Sequence, residues 1–422
     1  MKKILYIFSV SAALVLGSAS CDVLDQYPHN AVSRDNLSED DLSLLFTGLY
    51  CYAQYKPTFN GYFQNDMAGG DFTRGGGSSY ANPQMWIKDC ILPTGGWMSG
   101  PWVGYYSWLY QVNEFIYAAS RVEQTDNVRE MLGVAYYFRG LIYYNLTSKY
   151  GNVQILRQAT NEQIPNSPAD ECWAFCEENL DLAIKMCPQF TSKNYVSQQA
   201  AKALMARTKL AQGKKQEAAG LAEEVIADPA FDLEDFSLIF RGAANHEEIF
   251  TYLNDVEENG VNFAREFYQP ATTYVPTREV IDLFVSADKR MNISVMADGD
   301  ETVLNKYNNY TSTNPIPVSR LAEMYLISAE GQGLEDGLGR LNQLREKRGL
   351  PAVSPKDEDE FLDAILAERR LEFLGEGFRW FDLVRTGKLG EIMGMEEKYS
   401  VFPIPQTQID LNSKLEQNEL WK

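Results

Sequence analysis

The sequence predicts an all-α-dominated single domain, a tetratricopeptide-like helical-repeat scaffold of about four helical pairs with long loop and hairpin insertions. Residues 203–229, ALMARTKLAQGKKQEAAGLAEEVIADP, read as a helix–turn–helix. Ala206 and Ala211 sit on its first helix, Gly213 begins the turn, and Ala218 and Ala222 sit on the second. Small side chains at the crossings let two helices approach closely. Residues 320–349 form a second such pair, with Leu321, Tyr325 and Leu326 facing Leu338, Leu341 and Leu344. Two stretches, 55–105 and 229–317, instead mix Gly, Asn, Pro and aromatic residues and read as insertions, not linkers.

In chain order, residues 1–20 read as a signal peptide. Lys2 and Lys3 form the basic region, Ile4 to Leu16 the apolar region, and Gly17-Ser18-Ala19-Ser20 the small-residue zone before Cys21. Cleavage directly before a cysteine is the lipoprotein arrangement, and two or more acyl chains give lasting membrane anchoring. The alternative is plain secretion with Cys21 in a disulfide. No second apolar run reaches the roughly 18–20 residues that span a bilayer, so residues 21–422 read as one anchored domain.

The first helical pair is expected near 40–52 and 108–123, and the second near 130–150 and 171–186. The helix from Glu130 to Lys149 is apolar on most sides and therefore buried. The third pair falls near 197–212 and 215–227, the fourth near 319–331 and 335–348. A charged segment, 357–422, closes the chain. Within it AERRLEFLGEGFRWFDLVR sets Leu371, Phe373, Leu374, Phe378, Trp380, Phe381 and Leu383 beside Arg369, Arg370, Glu372, Glu376, Arg379, Asp382 and Arg385. These charges are expected to pair with one another around the apolar stripe.

Composition narrows the function. The chain has 422 residues, 45% hydrophobic and 23% charged, which suits a sizeable core. A net charge of −20 argues against nucleic acid as a partner, because phosphate contacts need clustered Lys and Arg. Two histidines, His29 and His246, leave little room for histidine catalysis or histidine-rich metal sites. Beyond Cys21, an odd set remains (Cys51, Cys90, Cys172, Cys176, Cys187), so at least one thiol stays unpaired in an oxidising compartment. Cys172 and Cys176, one turn apart without neighbouring ligands, read as buried thiols and not a metal site.

The terminal segment, with Phe402-Pro403-Ile404-Pro405 after it, resembles the C-terminal signature of the SusD/RagB family of surface nutrient-binding lipoproteins of Bacteroidetes. Leu109-Tyr110-Gln111-Val112-Asn113, Ala135-Tyr136-Tyr137-Phe138-Arg139-Gly140 and Lys149-Tyr150-Gly151-Asn152-Val153 resemble further family blocks. So do Arg320 to Leu326 and Leu341-Asn342-Gln343-Leu344-Arg345. The blocks follow family order along nearly the whole chain. The resemblance implies a SusD-like fold and a non-enzymatic binding role without cofactor or metal. It implies a glycan ligand, a SusC-like TonB-dependent transporter as partner, and attachment to the outer membrane, facing the cell surface, through a lipid on Cys21. Departures are modest: Gln154 stands where the family often has Pro, and Gln417-Asn418-Glu419-Leu420-Trp421 approximates the usual ending.

Two clusters are candidate ligand contacts. The first holds Tyr62, Phe63, Phe72, Tyr80, Trp86, Trp97 and Trp102 among Asn65, Asp66, Asp71, Arg74, Asn82 and Gln84. Sugar rings present C–H faces that stack on aromatic planes, while amides, carboxylates and guanidiniums bind hydroxyls. The second alternates Phe267, Tyr268, Tyr274, Tyr307 and Tyr310 with Arg265, Gln269, Asn308 and Asn309. From these, Phe72, Arg74, Tyr80, Asn82, Trp86, Trp97, Trp102, Tyr268 and Tyr274 are the predicted binding residues. Trp108, Trp173 and Trp380 fall at core positions. Exposed aromatics without a ligand are a solubility liability, which argues against a pure scaffold.

The same fold serving peptide uptake is the alternative reading, and a glycoside hydrolase a further one. The latter needs two carboxylates flanking a cleft, one with a raised pKa. Glu368 and Glu372 lie one turn apart, but Arg369 and Arg370 beside them are expected to lower their pKa values. Asp298-Gly299-Asp300-Glu301 lacks EF-hand spacing and reads as a solvated turn. Gly75-Gly76-Gly77 has neither P-loop nor dinucleotide spacing.

Overall fold

The computed structural model describes residues 37–54, 64–75, 83–254, 263–268, 274–309 and 314–422. Helix α1, Glu39–Gln54, lies against α3, Gly96–Ala119, which packs on α4, Asp126–Tyr150. Next come α5, Ala169–Met186, α6, Gln198–Ala211, and α7, Lys215–Ile226. Each rests on the one before it. Residue types at the ends set where these helices begin. Thr125 accepts the Val128 N–H at 3.2 Å, and Ser197 accepts that of Ala200 at 3.2 Å, each satisfying a donor with no partner inside the helix. Ala206, Ala218 and Ala222 are fully buried at the α6–α7 crossing, where small side chains permit close approach.

Helix α8, Leu321–Lys347, is two helical segments hinged at Gly333, whose φ of 76° and ψ of 179° suit glycine alone. Both segments lie on α7, where Ser328 from the first and Arg340 from the second each reach Glu223. Helix α9, Glu358–Glu372, is capped by Asp357, which accepts the Glu360 N–H at 2.8 Å. It is followed by α10, Arg379–Arg385.

Helix α3 begins well before the expected 108–123. Part of the predicted loop 55–105 is helical, including α2, Pro83–Cys90. Gly96, Gly100, Pro101 and Gly104 make this run a poor helix former in isolation. Burial overrides that: Met98, Trp102, Tyr105, Trp108, Leu109 and Val112 recur at helical spacing and all face the core.

Six short strands make three antiparallel pairs among the described residues. Strand β1, Phe72–Arg74, pairs with β3, Tyr274–Pro276, in the register Phe72↔Pro276, Thr73↔Val275, Arg74↔Tyr274. Strand β2, Glu248–Tyr252, pairs with β6, Ile316–Arg320, which runs straight into α8. Strands β4, Val295–Asp298, and β5, Glu301–Leu304, form a hairpin with the acidic Asp298–Glu301 at its turn. The core is strongly aromatic. Phe138 meets Trp108 at 5.5 Å and Tyr50 at 5.0 Å between ring centroids. The terminal segment straps across α4: Phe402 N donates to Lys149 O at 2.7 Å, and Trp380 packs on Phe402 at a tilt, with ring centroids 4.6 Å apart. Trp108 and Trp380 are buried, while Trp173 is half-buried against the core. No described helix is long and apolar enough to cross a membrane.

Candidate ligand-binding face

The two predicted clusters, about 200 residues apart in sequence, meet at the β1–β3 pair. Arg74 from the first stands opposite Tyr274 from the second. Behind them Phe72 contacts Phe267 at 5.2 Å, Phe267 contacts Tyr274 at 6.1 Å, and Phe263 stacks on Tyr307 at 4.8 Å. This seam joins the two insertions from within.

Burial divides the predicted residues. Phe72, Trp86, Trp102 and Tyr274 are at most 2% exposed. Their rings are clasped by the core, and a ring without a free face cannot stack on a sugar. Phe72 and Tyr274 back the strand pair, Trp86 lies against Trp97, and Trp102 packs on Tyr106 and Tyr150 at the wall of a groove along α3. Trp97 is 37% exposed and meets Trp86 edge-on at 6.3 Å, while Gln64 Nε2 donates to its carbonyl at 3.0 Å. Arg74 and Tyr268 are half-buried at the surface. Tyr80, Asn82 and the lipidation residue Cys21 lie outside the described residues, as do Tyr62, Phe63 and Tyr310.

The acids and amides expected among the rings turn inward. Asn65, Asp66 and Asp71 are buried. Asn65 Nδ2 donates to Gly377 O at 3.1 Å, and Asp66 accepts Gly377 N at 3.0 Å. Burial pushes the Asp66 carboxyl well above its usual range. Asp71 is raised for the same reason, against the pull of Arg370.

The charges of the terminal segment pair differently from expectation. Within the segment, Arg369 and Arg385 both reach Asp382, at 2.7 and 2.9 Å. The others bind distant elements. Glu372 is ringed by Arg290 at 3.0 Å, Arg320 at 2.8 Å and Arg348 at 2.8 Å. Glu368 is bound by Arg290 at 2.7 Å and Arg345 at 2.6 Å, and Glu376 by Lys306 at 2.7 Å and Arg320 at 2.9 Å. Although burial opposes it, the three guanidiniums hold Glu372 well below the usual carboxylate range. The expected partners, Arg369 and Arg370, take no part: each is drawn to an acid on another element or on α10.

A surface missed in the sequence runs along α3. An open groove of about 500 Å³ is lined by Trp102, one of the predicted residues, with Val103, Tyr106, Tyr110, Gln111 and Gln154 among others, and Tyr110 is 52% exposed. The exposed face of α3, which begins before the expected 108–123, forms its wall. A cavity of about 290 Å³ under the terminal segment is lined by Trp173, Phe378 and Phe381 beside Arg207, Glu323, Arg369 and Asp382. No group of three or more His, Cys, Asp or Glu among the described residues is arranged to hold a metal ion. Cys172, Cys176 and Cys187 are buried thiols, and burial pushes Cys172 up to about 11.

The sequence profile of the SusD family matches residues 160–400, and a profile described as starch-binding, associating with the outer membrane, matches residues 22–210. The chain belongs to the SusD family. A SusD-like protein of Formosa agariphila is 25% identical over 488 aligned residues, 94% of this chain and 95% of that relative. The starch-binding protein SusD of Bacteroides thetaiotaomicron is 35% identical over 158 residues, 31% of this chain and 27% of its own. Among solved structures, a SusD superfamily protein from Bacteroides vulgatus superposes with a TM-score of 0.80 at 20% identity, covering 91% of this chain and 99% of the other. A laminarin-binding SusD-like protein superposes with a TM-score of 0.75 at 22% identity, covering 91% and 100%. The SusD fold is thereby shared along the greater part of the chain.

Proposed function

We propose that this SusD-family protein is a cell-surface lipoprotein, anchored through Cys21, that binds an oligosaccharide and delivers it to a SusC-like TonB-dependent transporter of the outer membrane. The observation that carries the reading is family membership over residues 160–400, with relatives bearing starch-binding and laminarin-binding names. The β1–β3 pairing supports it, since it sets Arg74 of one insertion opposite Tyr274 of the other. Trp97 and Tyr268 supply ring faces, and Arg74 supplies hydroxyl-directed donors. Phe72 and Tyr274 hold the strand pair from behind, through Phe267. Glu372, fixed as a carboxylate by three arginines, does not offer the protonated acid that glycoside hydrolysis requires.

The test is calorimetric titration of the soluble chain, residues 22–422, with laminarin, amylopectin, xylan and mucin O-glycans. Saturable binding to one class, weakened about ten-fold or more by Trp97→Ala, is the expected result. Absence of binding to every glycan, with oligopeptides bound instead, replaces the cargo.

A further inference from the structure

The base of the β1–β3 pair is held by a residue from the terminal segment. Arg370, near the end of α9, has a side chain only 9% exposed. Its Nε donates to Asp71 Oδ1 at 2.7 Å, immediately before β1. Its Nη1 donates to Glu279 Oε1 at 2.8 Å, in the short helix Arg278–Ile281 that follows β3. One planar guanidinium thus spans the two insertions at the end of the strand pair opposite Arg74 and Tyr274.

Neighbouring contacts close the same junction. Thr277 N donates to Asp71 O at 2.8 Å, and Thr277 Oγ1 to Gly70 O at 3.3 Å. The turn before β1 is pressed onto the segment as well. A Cβ on Gly69 would stand 2.8 Å from Trp380 N, so only glycine permits this approach. A three-residue strand pair has few ladder bonds of its own, and two short strands alone are marginal in water. Its register therefore depends on what holds its base.

We propose that Arg370 is a positioning residue for ligand binding, fixing β1 against β3 so that the two insertions present Arg74 and the Tyr268 segment on one face. This rests on the reading that these insertions bind glycan. Arg370 touches no ligand in this account; it acts through Asp71 and Glu279.

The experiment compares Arg370→Gln, Arg370→Lys and Glu279→Gln with wild type, all as residues 22–422. Hydrogen exchange is followed in peptides covering 70–75 and 274–280, with the α4–α5 hairpin as internal control. Affinity is measured for whichever of laminarin, amylopectin, xylan or mucin O-glycans the wild type binds. Arg370→Gln is expected to speed exchange at both strands by about ten-fold or more, leave α4–α5 at the wild-type rate, and weaken glycan binding. Arg370→Lys, able to reach Asp71 alone, restores part of both. Glu279 is 71% exposed, so Glu279→Gln keeps the fold and gives a smaller shift in the same direction even where Arg370→Gln fails to fold. Exchange at wild-type rates in Arg370→Gln overturns the proposal, and so does faster exchange with unaltered affinity. A wild type that binds no glycan defeats the glycan reading, while exchange at the two strands still decides whether Arg370 holds them.

Discussion

Lys149 carries its ammonium into the core. It is fully buried, with Nζ 5.8 Å from the Tyr105 ring centre and 5.6 Å from that of Phe402. Burial pushes its pKa down from 10.5 to about 7. The unfolded chain holds this proton up to about 10.5 and the folded chain only to about 7, so folding expels a proton between these values. The destabilisation is fully present below pH 7 and is relieved as pH rises toward 10.5. Lys149→Met is expected to raise stability at pH 6 by an amount on the order of 3–5 kcal/mol at most, with the gain shrinking by pH 10. Urea midpoints at the two pH values check this; an equal gain at both contradicts it. Tryptophans show how far single residues can be read from sequence. Helical spacing placed Trp108 and Trp380 in the core, where both lie. Glycine-rich surroundings suggested that Trp86 and Trp102 face ligand, yet Trp86 is fully buried and Trp102 is only 2% exposed at the wall of the α3 groove, because local composition does not register what packs over a ring from elsewhere in the chain. Trp86→Ala is accordingly expected to cost about 3–5 kcal/mol of stability, whereas Trp97→Ala costs little and acts on binding. Thermal unfolding of the two variants separates these roles.

At the scale of elements, the small-residue crossings and the long apolar helix made the stacked hairpins legible. The start of α3 was not, since its glycines and proline mask a buried stripe that only tertiary packing rewards. The terminal segment shows a second limit. Its charge was evident, but an arginine's partner is fixed by the fold and not by sequence distance. Glu372 draws Arg290 from before β4, Arg320 from the end of β6 and Arg348 from the end of α8. Removing one member of such a cluster leaves the others buried and uncompensated. Glu372→Gln is expected to lose about 3–5 kcal/mol, measured by denaturant unfolding at pH 7. The folded pKa of Glu372 lies well below 4.5, so its contribution is present above that value and fades as pH falls through the folded value. A loss under 1 kcal/mol, roughly that of an exposed pair, would contradict the assignment.

Over the whole molecule, a rigid helical frame supports two insertions that are distant in sequence and joined at β1–β3. The family and the frame were readable from ordered motifs along the chain. The face was readable only in part: it combines residues about 200 positions apart whose meeting depends on three-residue strands and on Arg370. Nothing in either insertion's own sequence encodes that pairing. At this scale the anchor makes its own prediction. Cys21→Ala is expected to shift the protein from the membrane pellet to the soluble fraction, and full retention in the pellet would remove lipidation from the account. In this reading the joined insertions bind carbohydrate. Calorimetric titration of residues 22–422 with laminarin and the other named glycans, for wild type and Trp97→Ala, tests it most directly. Saturable binding to one glycan class, weakened about ten-fold or more in the variant with its helical circular dichroism intact, is the expected result. Equal affinity in wild type and Trp97→Ala, or no binding to any glycan, would contradict it.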